Sequence, residues 1–414
     1  MHLAESHATG VDISSRAFWA KDFHHRDESF ARLRARAAVS WHPPMEVSYP
    51  HDERGFWAVT RAADISAVSR EPELFSSRHG IAAEPLPRRH SAHSSFFLSM
   101  DPPEHGRYRA LVNAAFTPKA VGRIAERIEA DAAQIVDSLV GAGDIEFVAD
   151  CASRLPLTTF SDIVGVPPSE RARVAEAAHT LIGGGKAEGL PPESVLAAKM
   201  SEYQYLLAMG ASMAEHRRRK PSDDLLTGLV QAEIDGARLT DREIGQFMTL
   251  ISVAGTDTTK QTTTLTALAL DQHPDQRDWL LADFDGRVMP AIEEFVRHAT
   301  PVMTFARTAT ADTELHGAPI AAGDKVVLFY CSGNRDGAVF TDPEKFDLRR
   351  PRSRHVSFGG GGPHYCLGAG VARTQLRALF KQLLTRLPGI EFGTPVRLAG
   401  SFVNGIATLP ARVG

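Results

Sequence analysis

Apolar residues recur every three or four positions along much of the chain, a spacing that predicts amphipathic helices. A short helix is predicted at 27–36, where Phe30 and Leu33 share one face, and another at 64–70. A helix is also predicted at 288–299. The densest helical pattern lies between residues 118 and 230, with predicted helices at 120–139, 156–164, 169–182 and 194–216.

Shorter runs show the composition of β-strands. The runs 45–49 and 55–60 predict a β-hairpin, and 313–329 predicts three strands joined by turns. Near the C-terminus, two short strands flank residues 401–405, a hairpin tip positioned to enter a pocket. We expect a mainly α fold with small β-sheets, a single domain over 1–414, and a β-rich part formed by 1–98, 300–335 and 388–414.

Two stretches lack any regular period. Residues 75–98 form a predicted long loop, and loops of this length often serve as lids or binding segments. Its apolar end, Phe96-Phe97-Leu98, either anchors the loop in the core or faces a ligand. The glycine- and proline-rich residues 183–192 predict a flexible connection.

One long helix is predicted to cross the molecule. Thr240-Asp-Arg-Glu243 is a capping box, and the apolar pattern after it need not stop before His273-Pro274. At 1.5 Å per residue this helix would be about 45 Å long, so most of it must be buried.

The middle of this helix carries polar residues at Ala254-Gly-Thr-Asp-Thr-Thr259. The hydroxyl of Thr258 can donate to the carbonyl of Ala254, which would open the helical ladder locally. An acid at Asp257 is costly inside an apolar helix unless it is paired or used. The pattern indicates either a proton relay through Asp257 and Thr258 or harmless back-bonding in a threonine-rich helix.

Composition restricts the function classes. The 414 residues are 43% hydrophobic and 23% charged, as in soluble globular proteins, and the formal net charge of -4 offers no general affinity for nucleic acid or anionic membranes. The three cysteines have no paired spacing, which argues against a disulfide framework or a zinc site. The start of the chain lacks a signal-peptide pattern, and no run is long enough for a membrane anchor, so we expect a cytoplasmic protein.

A glycine-rich loop precedes the last predicted helix and contains Cys366. It reads Phe358-Gly-Gly-Gly-Gly-Pro-His364-Tyr-Cys366-Leu-Gly368. Glycines allow unusual φ values and close backbone approach, and the start of a helix favours a thiolate. The cysteine is therefore either an iron ligand or a buried, inert thiol, and its surroundings favour the ligand.

Two further segments carry paired charges. The helix that begins after Pro103 places His105 and Arg109 four residues apart on one face, where they can grip one anionic group or form a solvated surface. In the helix at 288–299, either Glu293 or Glu294 can pair with Arg297.

Together these segments resemble the cytochrome P450 family. The cysteine loop is similar to the family pattern Phe-Gly-x-Gly-x-His/Arg-x-Cys-x-Gly, the segment 101–109 to Asp-Pro-Pro-Glu-His-x-x-x-Arg, and 254–259 to its oxygen groove. One departure is that Phe358 stands eight residues before Cys366 rather than the usual seven, so one glycine looks inserted. Some actinobacterial sterol and branched-lipid hydroxylases share this longer loop.

The resemblance implies a P450 fold that encloses haem b and assigns a role to each matching residue. Cys366 would be the iron ligand, with Phe358, Gly362, Gly368, Ala254 and Gly255 beside the haem, and Asp257 and Thr258 would form the acid–alcohol pair. Glu294 and Arg297 would form a structural network with Arg350. The residues expected to bind the haem propionates are His105, Arg109, Arg307 and His364.

The implied activity is a monooxygenase that uses O2 and electrons from a ferredoxin and ferredoxin reductase, since no flavin or nicotinamide motif is present. The basic stripe Arg373, Arg377 and Lys381 is either a ferredoxin-docking surface or an ordinary solvated face. We expect a lipophilic substrate, with a sterol, terpenoid or branched lipid favoured over a macrolide. The alternative is a non-catalytic haem-thiolate sensor or carrier or, within the enzyme class, a macrolide- or polyketide-tailoring oxidase. The expected substrate-pocket residues are Phe97, Leu98, Val253, Ala254, Val302, Met303, Phe305, Phe402 and Val403.

Overall fold

Helices make up most of the chain in the computed structural model, which describes residues 9–36, 39–85, 92–113, 116–182, 184–187, 190–234, 236–351 and 354–414. The prediction of a mainly helical protein with small sheets is confirmed. The α-helices are α1 Arg16–Trp19, α2 Phe23–Arg36, α3 Ala62–Arg70, α4 Glu104–Asn113, α5 Pro118–Asp137, α6 Arg154–Val164, α7 Arg171–Leu181, α8 Pro192–Arg219, α9 Leu225–Gln231, α10 Asp241–Gln272, α11 Pro274–Leu281, α12 Phe284–Ala299, α13 Tyr330–Gly333 and α14 Ala369–Arg386.

The principal sheet joins strands that are distant in sequence. Its order is β1-β2-β10-β7-β3, and all neighbouring pairs are antiparallel except β2 and β10. Smaller sheets are β11-β14-β4, β12-β13, β5-β6 and β8-β9. The strands are β1 Val39–His42, β2 Phe56–Val59, β3 Phe75–Ser76, β4 Gly143–Glu146, β5 Glu233–Ile234, β6 Ala237–Arg238, β7 Thr304–Ala309, β8 Thr313–Leu315, β9 Ala318–Ile320, β10 Lys325–Phe329, β11 Glu391–Phe392, β12 Val396–Arg397, β13 Ile406–Thr408 and β14 Pro410–Val413.

The predicted N-terminal hairpin was wrong in its first strand. The partner of β2 is β1, with Val39 opposite Val59, and not the run 45–49. Pro43 and Pro44 follow β1 directly, and proline lacks the N–H that a sheet ladder requires. Met45 is instead buried in an apolar cluster that includes Phe56 and Ala58 of β2.

The predicted long loop contains regular structure at both ends. Its start forms β3, and Ala92–Ser99 form a 3₁₀ helix that leads toward α4. Residues 86–91 lie outside the described part of the chain. The flexible connection predicted at 183–192 lies partly outside it too, and Gly185–Ala187 form one short 3₁₀ turn.

The long helix α10 forms the axis of the helical part. Its capping box between Thr240 and Glu243 is present as predicted. Helix α8 crosses α10 closely because both carry glycine at the contact: a Cβ on Gly245 would lie 2.6 Å from the carbonyl oxygen of Leu207, and one on Gly210 would lie 2.8 Å from the Cα of Gly245. Among the described residues, no helix combines the length and apolar character needed to cross a membrane.

Candidate active site

A cavity of about 250 Å³ lies between α10 and the cysteine loop. Cys366, His364, Phe358 and Gly368 line one side, and Ala254, Gly255 and Thr258 of α10 also line it. The rest of the wall is mainly apolar and includes Phe97, Leu98, Phe160, Ile163, Phe247, Leu250, Ile251, Val302 and Phe305. The two sequence segments singled out for their chemistry therefore meet at one internal space.

The cysteine loop turns through glycines in the left-handed region. Gly359, Gly360, Gly361 and Gly362 all have positive φ, between 59° and 106°. The N–H of Cys366 donates to the carbonyl of Phe358 at 2.9 Å and closes the loop. Helix α14 starts three residues after Cys366, as the sequence predicted.

Cys366 is exposed, and it lines the cavity. Burial raises the pKa of its thiol, while the N–H groups of Gly368 and Ala369 and the charges of Arg109 and Arg373 act in the opposite direction. The predicted effect of the helix start is present, but burial outweighs it. A metal cation favours the thiolate, so metal binding would complete the deprotonation.

The four-glycine stretch lies against the last turn of α3. A Cβ on Gly360 would come within 2.8 Å of the Ser69 hydroxyl, and one on Gly362 would overlap the Ser69 carbonyl oxygen. Side chains larger than hydrogen cannot fit between these two backbones. Glycine is therefore required at these positions, where the loop packs against α3.

Phe358 is clamped from the outer side of the loop. The guanidinium of Arg373 lies 4.5 Å from its ring centroid, and Glu293 holds Arg373 through bonds of 2.6 and 3.0 Å. Glu293 also contacts His355 at 3.1 Å, and these two partners outweigh burial and lower the pKa of Glu293 to about 2.

The basic stripe on α14 is occupied by internal ion pairs. Besides the pair between Arg373 and Glu293, Arg377 pairs with Glu129 at 2.8 Å, and Asp285 lies 3.3 Å from Lys381. Arg377 and Lys381 are 35% and 45% exposed in these pairs, so the stripe stays at the molecular surface, as both interpretations of it require.

The predicted propionate-binding residues converge beside the cavity from three segments. The rings of His105 and His364 lie 4.2 Å apart, and Arg307 is buried within the same cluster. Arg109 donates to the carbonyls of Pro363 and Tyr365 at 2.8 and 2.6 Å, which ties α4 to the cysteine loop.

This cluster concentrates positive and hydrogen-bonding groups, and Asp101 is an acid whose charge acts on His105 and Arg307. Burial, followed by the charge of Arg109, lowers the pKa of His105 to about 4. Burial and then Arg307 lower the pKa of His364 to about 2. Among the described residues, no carboxylate lies within ion-pair distance of Arg307.

Haem fits this arrangement. His105 Nε2 and His364 Nδ1 are buried and have no hydrogen-bond partner among the described residues. Native proteins rarely leave buried polar atoms without such a partner. A pair of carboxylates at the edge of a flat apolar group would supply the missing partners and the missing negative charge. The cavity wall supplies the apolar surface, and Cys366 supplies the thiol ligand.

Thr258 and Asp257 lie on different sides of α10. The hydroxyl of Thr258 donates to the carbonyl of Ala254 at 3.0 Å, as the sequence predicted, and α10 remains continuous through this point. Asp257 is 3% exposed and lies outside the cavity wall. Its carboxylate contacts Lys260 Nζ, and His179 Nδ1 lies 3.5 Å away.

The structure brings together Glu294, Arg297 and Arg350. Two parallel bonds of 2.6 and 2.7 Å join Arg297 to Glu294, and Arg350 lies 3.3 Å from the same carboxylate. Arg297 also donates to the carbonyls of Asn334, Pro343 and Lys345. The choice of Glu294 over Glu293 as the partner of Arg297, which spacing alone left open, agrees with this geometry.

Several expected pocket residues lie behind the cavity wall. Met303 points away from it, since it alternates with Val302 along an extended chain, and its sulfur accepts from Arg26 at 3.3 Å. Phe402 packs against the cavity-lining Phe305 at 5.6 Å, and Val403 pairs with Val302 through a β-bridge.

Val253 does not line the cavity either, because it lies on another face of α10 from Ala254. The sequence interpretation missed other wall residues, notably Phe160 and Phe247. Their spacing along the predicted helices indicated only that these side chains are buried. The neighbouring sequence did not show which buried face of a helix borders a cavity.

Comparison with known proteins places these features in a family. Residues 288–388 match the family model for cytochrome P450. A methyl-branched lipid omega-hydroxylase of Mycobacterium tuberculosis is 39% identical over 409 residues, covering 97% of this chain and 94% of that protein. A steroid C26-monooxygenase of Rhodococcus jostii is 38% identical, and the match covers 92% of this chain and 80% of that protein.

Among solved structures, a Mycobacterium marinum cytochrome P450 in complex with pseudoionone shares 49% identity, with a TM-score of 0.93 and coverage of 98% of both chains. Identity of this extent runs through the whole fold and not only the short motifs. The chain therefore belongs to the cytochrome P450 family and is a haem-dependent monooxygenase.

Proposed function

We propose that this enzyme hydroxylates the branched alkyl end of a lipophilic molecule, such as a branched lipid, a sterol side chain or an open-chain terpenoid. The observation that carries the proposal is the cavity wall. Opposite the cysteine loop it is built from aromatic and aliphatic side chains, including Phe97, Phe247 and Val302. Such a wall binds by burial of apolar surface, about 25 cal/mol per Å².

The relatives support the same class of substrate. Their names refer to a methyl-branched lipid and to carbon 26 of a steroid, and pseudoionone was bound in the third protein. These molecules share a branched hydrocarbon end. The apolar wall of the cavity would hold such a group by burial of its surface.

We further propose a division of labour among the residues of the site. Cys366 would ligate the iron, and His105, Arg109, Arg307 and His364 would bind the propionates. The bound haem supplies the activation of O2, which thiolate ligation favours. Thr258 would present its hydroxyl inside the cavity, and Asp257 would store and pass on the protons that the reaction consumes.

Electrons would come from a ferredoxin and its reductase, because no flavin or nicotinamide motif is found in the sequence. Since Arg373, Arg377 and Lys381 carry internal ion pairs, we do not assign the docking of the donor to this stripe. Exchange of the donor among several ferredoxins would identify the preferred partner by its KM.

A panel of compounds tests the substrate proposal. The haem-loaded enzyme would be titrated with a methyl-branched fatty acid, cholest-4-en-3-one, pseudoionone and a macrolide, while the spectrum reports loss of water from iron. Compounds that bind would then be turned over under ¹⁸O2 with a surrogate ferredoxin system. The proposal predicts ¹⁸O in a hydroxyl on the branched end, whereas macrolide oxidation alone would support the tailoring alternative. Binding without any product would support a sensor or carrier.

A further inference from the structure

Asp257, Lys260 and His179 form a buried cluster behind the cavity, on the side of α10 that faces α7. Asp257 and Lys260 are three residues apart on α10 and form an ion pair. His179 comes from α7 and places Nδ1 3.5 Å from the carboxylate and 3.4 Å from Lys260 Nζ. The spacing of the ion pair was readable from the sequence, but the approach of His179 was not.

The cluster keeps Asp257 ionised. Burial raises the pKa of this carboxyl, but the charge of Lys260 and the hydrogen bond to His179 outweigh burial and hold the pKa below its usual value. An ionised carboxylate cannot donate a proton. If Asp257 serves the reaction, each turnover must therefore bring it a proton from outside the molecule.

Only one of the three side chains combines contact with solvent and chemistry suited to proton exchange near neutral pH. The side chain of His179 is 27% exposed, against 4% for Asp257 and 11% for Lys260. An imidazole ring gains and loses protons in the physiological range, whereas an ammonium group holds its proton well above that range.

The two ring nitrogens of His179 face opposite directions. Nδ1 faces Asp257. The other side of the ring packs against Gly184, where a Cβ would overlap the Nε2 edge of the ring. Gly184 is itself buried and precedes the 3₁₀ turn Gly185–Ala187, whose first two residues are exposed. The partly exposed imidazole therefore lies between the buried acid and the start of this turn.

The other charges around His179 balance one another. Glu176 lies one turn earlier on α7, Lys186 lies on the adjacent turn, and Glu202 lies on α8. Lys186 contacts Glu202 at 3.0 Å and Glu176 at 3.6 Å, and Arg173 contacts the same acids at 2.5 and 3.6 Å. Two bases thus match two acids, and Asp257 matches Lys260.

We propose that His179 is the residue through which protons from solvent reach Asp257. Nε2 takes a proton from a hydronium ion in solvent, and the Nδ1–H proton passes to the carboxylate, which leaves a neutral imidazole with its proton on Nε2. Proton exchange through water then returns this proton from Nε2 to Nδ1 and restores the starting tautomer. Lys260 keeps its proton and holds the carboxylate in place. This inference rests on the proposed role of Asp257 and adds a residue outside the recognised motifs.

The test compares His179→Gln with His24→Gln, whose ring is 78% exposed on α2, far along the chain from the site. Both haem-loaded variants would be assayed with a saturating substrate in H2O and D2O across pH. We expect His179→Gln to lower kcat by about tenfold or more, to enlarge the solvent isotope effect and to change the pH profile. KM and the spectrum of the reduced carbonyl complex should not change, and His24→Gln should match the wild type.

A second measurement does not depend on turnover. In the reduced carbonyl complex at fixed pH, the ¹⁵N resonance of His179 Nδ1 should shift in Asp257→Asn, because the group that it faces changes from a carboxylate to an amide. A resonance that does not respond, or a His179→Gln enzyme with wild-type kcat, pH profile and isotope effect, would overturn the relay. Failure of the wild type to hydroxylate any lipid would instead overturn the proposed function.

Discussion

At the scale of single residues, the backbone of the cysteine loop decides whether the site can form. Gly362 has φ of 72° and sits directly on the Ser69 carbonyl. Glycine is therefore required at this position for two reasons: a larger side chain would resist this φ and would collide with the Ser69 carbonyl oxygen. The sequence showed four glycines in a row, but it did not show that α3 was the surface they approach.

Gly362→Ala should destabilise the protein by at least about 1–3 kcal/mol, since alanine resists this φ and its Cβ would push the loop off α3. We expect a lower midpoint of chemical denaturation and faster loss of haem. Gly337→Ala is the matched control, because no atom lies within 4 Å of the added Cβ. Equal stability of the two variants would contradict the packing described for the loop.

Thr258→Ala should uncouple the reaction, because it removes the hydroxyl that α10 presents to the cavity. We expect product formed per reductant consumed to fall by about tenfold. Thr256→Ala is the control: its hydroxyl also bonds back along the helix, to Ser252 at 2.6 Å, but it lies outside the cavity wall. Wild-type coupling in Thr258→Ala would show that the hydroxyl is not used.

The low pKa of His105 makes the stability of the haem-free protein depend on pH. An unfolded histidine binds a proton near pH 6.5, whereas folded His105 binds it only near pH 4. The unfolded state binds more protons between these values, so stability falls as pH drops from about 6.5 to 4, by up to about 1.4 kcal/mol per pH unit. The free energy of unfolding, measured by urea denaturation at each pH, should fall less steeply with decreasing pH in His105→Gln than in the wild type or His24→Gln. The same pH dependence in all three proteins would contradict this.

At the scale of elements, α12 and the segment after α13 are joined by one buried carboxylate. Glu294 accepts from Arg297 and from the N–H of Asp347, while Arg297 reaches three backbone carbonyls. The network thus fixes the chain that leads into the cysteine loop. The sequence contained both possible acids, and only the resemblance to the family distinguished Glu294 from Glu293.

Glu294→Gln should cost about 3–5 kcal/mol of folding free energy, because it leaves buried guanidinium groups without their counter-ion. Glu344→Gln, in the exposed segment that follows α13, should change stability by less than about 0.5 kcal/mol. Chemical denaturation of both variants measures the difference. A loss below about 1 kcal/mol in Glu294→Gln would contradict a structural role for the pair.

Helices were predicted better than strands for a physical reason. The apolar period of α5 and α10 is local, and the capping box of α10 marks its start. The pairing of β2 with both β1 and β10 depends on partners far apart in sequence. The local sequence therefore predicted the position of β2 correctly, but the predicted partner strand at 45–49 was wrong.

At the scale of the whole molecule, the site exists only where remote segments meet. Cys366 and Thr258 line the same cavity, although more than a hundred residues separate them. Both residues could be predicted from sequence, because each belongs to a short motif of neighbouring residues. The residues of the apolar wall were not predictable in the same way. Val302 and Met303 are neighbours on an extended chain, and only the folded structure shows that Val302 points toward the cavity.

The most direct test of the account is the spectrum of the reduced carbonyl complex of the haem-loaded protein. Wild type and Cys331→Ser, which alters another free cysteine, should both show the red-shifted Soret band of thiolate ligation, whereas Cys366→Ser should lack it. A wild-type complex without the red shift, or a red shift that survives in Cys366→Ser, would contradict the assignment of Cys366 as the iron ligand.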